Sequence, residues 1–266
     1  MTKDLPNLAT GTLPPHHSAA VNLTMWQWGL LSIGAFFSGL SKTGISGAAV
    51  LTVALFANTL PARESTGALL PLLLCGDVFG VAFYRKHASW PHLWRLCPWV
   101  ALGVVGGYFA LDRVSSLQVQ RMIGAILLAI VGLSLWRQTR PELAASEVPH
   151  SWWFAAITGL LAGFTTMVAN AAGPVMILYF LAIGLPKLVF VGTGAWFFML
   201  VNAFKVPFSV RLGLINSQSL LTDAVLVFPL IPGALLGPVI LRRLNQKTFE
   251  LMVLILTAIA TVRLLL

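Results

Sequence analysis

Two short polar stretches interrupt long apolar runs of this chain, and their residue types suit the binding of a small anion. The first, SGLSKTGISG at 38–47, contains Lys42, and the second, GFTTMVANAAGP, spans 163–174. Ser46 and Asn170 are favourable N-cap residues, so we expect a helix to restart after each. A helix N-terminus presents free N–H groups and a partial positive charge, and Lys42 adds a full charge. The alternative is a helix-end lysine that reaches the lipid headgroups.

A second group of candidate ligands lies on one face of a later segment. The spacing i, i+4, i+7, i+11 of one helix face is met by Phe198, Asn202, Lys205 and Ser209. A polar stripe in a membrane helix faces protein or water rather than lipid. We therefore add Asn202 and Lys205 to the predicted substrate-binding residues, together with the hydroxyl residues Thr43 and Thr166 of the two polar stretches. For Lys205 the alternative is again contact with headgroups.

Asp77 is the acid that the sequence places deepest in an apolar run, between GALLPLLLCG and VFGVAFY. A carboxylate inside a membrane segment is a functional hypothesis by default. We predict that Asp77 carries a proton, with a structural ion pair to Lys42, Arg63 or Lys205 as the alternative. Asp223 and Glu64 lie near predicted helix ends, where capping and solvation explain them.

Trp196 lies in the middle of the same segment as Lys205, directly after GTGA at 192–195. Its position away from a predicted membrane surface suggests a wall or gate of the substrate cavity. The alternative is ordinary aromatic packing in the apolar interior.

The composition defines the kind of protein that must position these residues. Of the 266 residues, 58% are hydrophobic and 9% are charged, and the mean hydropathy is +0.86. Soluble domains contain about 25% charged residues, so the chain is predicted to be an all-α polytopic membrane protein. The net charge of +9 does not indicate nucleic-acid binding, because the basic residues lie mostly between apolar runs, where they set topology and contact anionic lipid.

Ten apolar segments follow a polar tail at 1–24, which we expect to be mobile. A first repeat at 25–136 and a second at 151–266 are joined by a polar linker at 137–150, which we place in the cytoplasm. Six segments approach the roughly 20 residues that span a bilayer. The first two segments of each repeat are shorter, so each pair is a candidate re-entrant hairpin. The predicted segments are 26–40, 44–60, 65–84, 93–111, 117–136, 152–168, 171–185, 187–209, 217–241 and 247–265.

The two repeats are related in sequence. Gly103 and Gly107 match Gly233 and Gly237 at a constant offset of 130 residues, and Asp77 matches Asn202 at an offset of 125. A constant offset across whole segments indicates a duplication. Each half has an odd number of segments, so the repeats must have inverted topology. The positive-inside rule places 85–95, 137–150 and 242–247 in the cytoplasm and both termini outside.

No catalytic or cofactor motif is present in the sequence. It lacks HExxH, GxSxG and P-loop patterns, and Cys75 and Cys97 have no metal-ligand spacing. The chain is therefore not expected to be an enzyme, and no metal or other cofactor is expected. A membrane-embedded enzyme and a passive anion channel are kept as alternatives to a transporter.

The polar stretches, together with GLP at 184–186 and GTGAWFFMLVNAFKVPF at 192–208, closely resemble the sulfite exporter TauE/SafE family, also called the TSUP transporters. The resemblance runs from about 27 to 266. It implies export of a small sulfur-containing anion, such as sulfite or an organosulfonate like sulfoacetate, coupled to protons. It also implies a multi-pass protein of the cell membrane, the inner membrane if the source is Gram-negative. The expected partners are the anion and the bilayer, and homo-oligomer formation is left open.

Overall fold

A computed structural model describes residues 23–44, 48–139 and 152–243. These residues form nine α-helices and one 3-10 turn at Arg85–His87, without a strand. Ser46, residues 1–22 of the polar tail, most of the linker and the tenth predicted segment lie outside the described residues. The helices are α1 (Met25–Thr43), α2 (Ala48–Thr59), α3 (Ala62–Tyr84), α4 (Trp90–Arg113), α5 (Ser116–Thr139), α6 (Trp152–Ala169), α7 (Gly173–Ala182), α8 (Lys187–Arg211) and α9 (Ser217–Arg243).

The helix lengths fit a polytopic membrane protein. Within the described ranges, five helices are long and apolar enough to cross a bilayer: α3, α4, α6, α8 and α9. The prediction of short segments is confirmed for α2 and α7, which have 12 and 10 residues. The helices before them, α1 and α6, are longer, with 19 and 18 residues, and α6 is one of the five candidate spans. Hydroxyl side chains in the last turns of these helices bond to carbonyls of their own helix, as Thr43 does to Gly39.

Each short helix folds back along the helix before it. A capping box at Thr24 begins α1, and the Gln27 side chain donates to the Thr59 carbonyl at 3.3 Å, so α2 ends beside the start of α1. In the second half, the Tyr179 ring of α7 stacks on Phe154 near the start of α6, with 5.5 Å between centroids. Each pair is therefore a hairpin. The start of its first helix and the end of its second helix lie together, and its polar join is the tip.

The third helix of each half, α3 and α8, pack together and run antiparallel. Asp77 contacts Asn202, while a Cβ added at Gly80 would contact Ala195 and one added at Gly67 would meet Leu214. Residue numbers therefore rise along one helix as they fall along the other. Because equivalent helices run in opposite directions, the two halves have inverted topology, as predicted.

Glycines let the first helix of one half lie directly against the fourth helix of the other. A Cβ at Gly39 of α1 would meet the carbonyl of Leu230 on α9, and a Cβ at Gly163 of α6 would meet the carbonyl of Val100 on α4. Leu230 and Val100 are 130 residues apart, which is the repeat offset. The two interfaces are thus copies of one another, exchanged between the halves as a two-fold axis requires.

Candidate functional site

A buried ion pair joins the first hairpin to the central helices. Lys42 Nζ at the end of α1 lies 2.7 Å from Asp77 Oδ1 on α3, and the Lys42 side chain is only 8% exposed. The Asn202 amide on α8 donates to Asp77 Oδ2 at 2.7 Å. Of the three cations that the sequence offered to Asp77, the structure pairs it with Lys42. A buried charge of this kind is stable only with a partner and hydrogen bonds, and Asp77 has both.

This pair lies at the centre of the molecule. Asp77 and Asn202 are equivalent residues of the two repeats, so their contact with each other places them on the axis that relates the halves. Asp77 precedes the end of α3 at Tyr84 by about 10 Å, and Asn202 precedes the end of α8 at Arg211 by about 14 Å. Since these two ends point to opposite sides, the contact is midway between them.

Lys205 is fully enclosed on the far side of Asn202. Its side chain is 1% exposed, and its Nζ donates to Asn170 Oδ1 at 2.5 Å, Thr166 Oγ1 at 3.2 Å and Asn202 Oδ1 at 3.5 Å. These three acceptors are neutral oxygens and match the three donors of an ammonium group. Lys205 therefore fixes the tip of the second hairpin to α8, and it does not reach the headgroups.

Asn170 ends α6 rather than capping α7, which corrects the sequence prediction. Its φ is 51°, a left-handed conformation that Asn tolerates better than most residues. Its N–H donates to the Thr166 carbonyl at 3.0 Å, and α7 begins only at Gly173. The Asn170 amide donates to the Thr66 carbonyl of α3 at 2.9 Å while its oxygen accepts from Lys205. The turn thus aims this side chain at α3 and α8.

A cavity adjoins the polar cluster. The volume open to the centre of a water-sized sphere is about 50 Å³, and one water requires roughly 10–15 Å³ by the same measure. The cavity is therefore large enough for a few waters or one small anion. Its polar lining is Ser41, Lys42, Asp77, Thr166, Asn170 and Asn202, and its apolar lining includes Met176, Ile177, Phe180, Phe190, Val191 and Phe198.

Lysine side chains and helix N-termini give the cavity donors for a negatively charged guest. The ionisable side chains of the cluster are two lysines and one aspartate. The first turns of α2 and α7 border the cavity through Ala49 and Gly173, and the last turns of α1 and α6 border it through Lys42 and Thr166, so ends of helix dipoles of both signs meet there. Lys42 Nζ lies 4.4 Å from the centroid of the Phe198 ring, which holds the ammonium at the cavity wall.

Gly194 of α8 lines the cavity, and a Cβ there would meet only the Phe180 ring, at 3.6 Å. The offset of 125 residues that relates Asp77 to Asn202 relates Gly67 to Gly192, and both of these glycines are closely packed: a Cβ at Gly67 would overlap Leu214, and one at Gly192 would meet the Tyr84 carbonyl. The cavity therefore lies beside α7 and the middle of α8.

The predicted site residues fall into distinct positions. Lys42, Thr166, Asn170, Asn202 and Asp77 line the cavity, and Lys205 lies behind its wall.

Two predicted residues do not line the cavity, and one cannot be placed. Thr43 is fully buried against α9, since a Cβ at Gly237 would overlap its hydroxyl. The Trp196 ring lies 5.2 Å from that of Trp90 because position 196 turns away from the axis. Ser46 belongs to the tip between α1 and α2, outside the described residues.

The sequence did not predict two residues that the structure brings to the site. Ser41 lines the cavity, as does Phe198 on the predicted face of α8, and Thr66 supplies the carbonyl that binds Asn170. The recurrence of STGA at 65–68 as GTGA at 192–195 was the available signal for Thr66. Its hydroxyl also donates to the Val168 carbonyl at 3.1 Å, which ties α3 to the end of α6.

Comparison with known proteins gives one result. The model of a protein family described as sulfite exporter TauE/SafE matches residues 28–264, which include every described residue of the cavity. No curated protein and no solved structure matches the chain.

Proposed function

Because the chain belongs to the sulfite exporter TauE/SafE family, we propose that it is a secondary transporter that exports a small sulfur-containing anion, sulfite or an organosulfonate such as sulfoacetate, coupled to protons. The observation that carries the proposal is the cavity at the meeting point of the two repeats, where Lys42 and the N-termini of α2 and α7 face one small space. Inverted repeats with interrupted helices are typical of secondary transporters with a central site.

The anion binds between the two hairpin tips in this proposal. A lysine ammonium is a compact point charge with three donors, which suits a small and strongly hydrated oxyanion. Backbone N–H groups at the first turns of α2 and α7 supply further donors without adding charge. The side chains of Thr166 and Asn170 complete the site, and the apolar wall near Phe180 and Phe190 accommodates the carbon part of an organosulfonate.

Asp77 couples the anion to a proton in this proposal, because the Asp77 carboxylate and the anion compete for the same lysine. While Asp77 is ionised, its carboxylate holds Lys42 at 2.7 Å. A proton on Asp77 removes that attraction and frees the ammonium for the anion. The anion and the proton are therefore bound together and cross the membrane together. The inside-negative membrane potential favours export whenever the sum of their charges is negative.

We expect alternating access through opposite movements of the two inverted halves, which is the behaviour that such repeats permit. In the state described, the cavity lies beside α7 and Gly194 of the second half. A passive channel would need access from both sides of the membrane at once.

Purified protein in liposomes tests the proposal. We expect saturable uptake of sulfite or sulfoacetate that responds to a pH gradient, and little uptake of chloride or acetate. Conductive flux that never saturates would instead identify a channel. Chemical conversion of a lipid without any flux would identify an enzyme.

A further inference from the structure

A second acid is buried in the molecule without a partner among the described residues. Asp223 lies six residues after the start of α9 at Ser217, about 9 Å inside the helix. It is 4% exposed, and no group of the described ranges hydrogen-bonds to either carboxylate oxygen. The sequence analysis explained Asp223 by solvation near a helix end, and the structure shows that explanation to be wrong. The side chain points into the bundle instead of into solvent.

Within the described part of the chain, the elements packed against α9 offer no cation to this carboxyl. They are chiefly α1 and α3, whose charged and titratable groups are Lys42, Arg63, Glu64, Cys75, Asp77 and Tyr84. Lys42 is held by Asp77, while Arg63 and Glu64 lie in the first turn of α3, where Glu64 is exposed. Cys75 and Asp77 belong to α3, one of the two helices that pack most extensively against α9.

Packing does not require an acid at this position. The repeat offset of 130 residues makes Leu93 of α4 the equivalent of Asp223, and Leu93 is 1% exposed. The fold therefore accepts an apolar side chain in the same environment. An ionised carboxylate buried without a partner is strongly unfavourable, whereas the neutral acid is much less so.

We propose that Asp223 is a second proton-binding site, occupied by a proton in this conformation, and that it moves a proton with each anion in addition to the one at Asp77. The coupling of this proton to anion transport rests on the proposed function, whereas the bound proton itself does not. The step is one proton transfer. A hydronium ion gives its proton to an Asp223 oxygen, one O–H bond forms and one breaks, and water remains; release is the reverse.

The Ser38 hydroxyl of α1 is a further buried polar group without a hydrogen-bond partner among the described residues, and the Ser38 carbonyl lies opposite Gly76 of α3. Ser38 and Cys75 are thus polar residues of the two helices that pack against α9.

Anion accumulation in liposomes measures the number of protons. With the membrane potential clamped at zero, each coupled proton contributes about a tenfold accumulation of anion per pH unit, since a tenfold ratio is 1.4 kcal/mol. We expect Asp223→Asn to lower the accumulation about tenfold while anion exchange continues. The control is Asp112→Asn at the exposed end of α4, which should behave as wild type. Accumulation by Asp223→Asn equal to wild type overturns the proposal.

Infrared spectroscopy tests the bound proton without any transport. The wild-type protein at neutral pH should show the carbonyl band of a protonated carboxylic acid that is absent from Asp223→Asn and shifted in Asp223→Glu. Absence of the band in wild type overturns the inference even if transport is found. If wild type carries no anion but shows the band, the proposed function fails and the proton site stands. A flux driven by a Na⁺ gradient and lost in Asp223→Asn would make this a sodium site and also overturn the proposal.

Discussion

The two buried lysines of the central cluster contact different kinds of partner. Lys42 contacts a carboxylate and an aromatic face at the cavity wall, whereas Lys205 contacts three neutral oxygens behind it. An ion pair with a carboxylate can be broken by protonation, but hydrogen bonds to amides and hydroxyls cannot. Lys42 is therefore suited to exchange its partner for an anion, and Lys205 is suited to hold the second tip in place.

Replacement of Lys42 by Met should weaken anion binding about tenfold to a hundredfold. One charge-assisted hydrogen bond contributes roughly 1.5–3 kcal/mol, and 1.4 kcal/mol is a factor of ten. Calorimetry with sulfite in detergent is the measurement, and Lys86→Met in the exposed turn after α3 is the matched control. Lys42→Arg should recover only part of the affinity, because the wider guanidinium must fit between the two tips. If Lys42→Met binds as wild type does, the site lies elsewhere.

Replacement of Asp77 by Asn should separate anion flux from the proton gradient. The neutral amide no longer holds Lys42, so anion binding should persist while the pH dependence of flux declines. Flux in liposomes with and without a pH gradient measures this, with Asp112→Asn as control. The variant must first be shown to be folded by thermal unfolding, since Asp77 also accepts from Asn202. An unchanged response to the gradient would leave Asp77 a structural partner only.

The left-handed residue Asn170 allows backbone and side-chain effects to be separated. Asn170→Gly retains the backbone conformation but removes the amide, whereas Asn170→Ala loses both. We expect Ala to be less stable than Gly by about 1 kcal/mol, the lower end of the cost of a left-handed residue. Both variants should lose anion affinity to a similar degree. Thermal unfolding and calorimetry check the two parts, and equal stability of Gly and Ala would refute the backbone argument.

At the scale of elements, the glycine face of α3 determines how closely the first tip approaches the axis. A Cβ at Gly76 would meet the Lys42 stem, and a Cβ at Gly80 would meet the Lys42 carbonyl. The Tyr84 hydroxyl donates to the Thr43 carbonyl at 2.8 Å and holds the end of α1 from the other direction. Gly76, Gly80 and Tyr84 of α3 thus determine where the Lys42 ammonium lies relative to Asp77.

The change Gly80→Ala should displace the first tip and reduce both stability and anion affinity. The added methyl group meets backbone, which cannot rotate away as a side chain can. Gly106→Ala on the exposed face of α4 is the control, because a Cβ there has nothing within 4 Å and alanine favours helix. Thermal unfolding and calorimetry of the pair provide the test. Equal behaviour of the two variants would show that α1 is not positioned by this contact.

At the scale of the whole molecule, inverted topology places the polar cluster on the axis that relates the two halves. The third helices of the halves cross at Asp77 and Asn202, which are equivalent residues. The cavity beside this crossing is lined by α7 and α8 of the second half together with Lys42 and Asp77 of the first. A ligand bound there contacts residues of both halves.

Labelling of single cysteines should establish the orientation of this molecule. In a background without Cys75 and Cys97, Lys86→Cys precedes α4 and Asp112→Cys lies at its far end. We expect a membrane-impermeant thiol reagent to reach position 86 only from the cytoplasm and position 112 only from outside, as the positive-inside rule predicts. Labelling of both from one side would mean that α4 does not span, and the reverse pattern would invert the proposed topology.

The sequence by itself determined the helical membrane fold, the duplication and the two polar tips. These are properties of single segments or of constant offsets: apolar length, glycine and hydroxyl content, and charge between segments. They could be predicted because each is local or repeats with a fixed period. Lys42 lies between two apolar runs, so the sequence alone indicated that this charge needs a partner.

Only the tertiary structure decided which charges meet and which do not. Asp77 lies 35 residues from Lys42 and could have paired with Arg63 or Lys205, while Asn170 proved to end one helix instead of starting the next. Whether Asp223 is solvated or enclosed depends on how α9 packs against α1 and α3. Side-chain partners in a membrane bundle depend on how helices far apart in sequence are rotated and how closely they approach. Contacts such as Gly80 against Lys42 determine this rotation and approach, and they exist only in the folded protein.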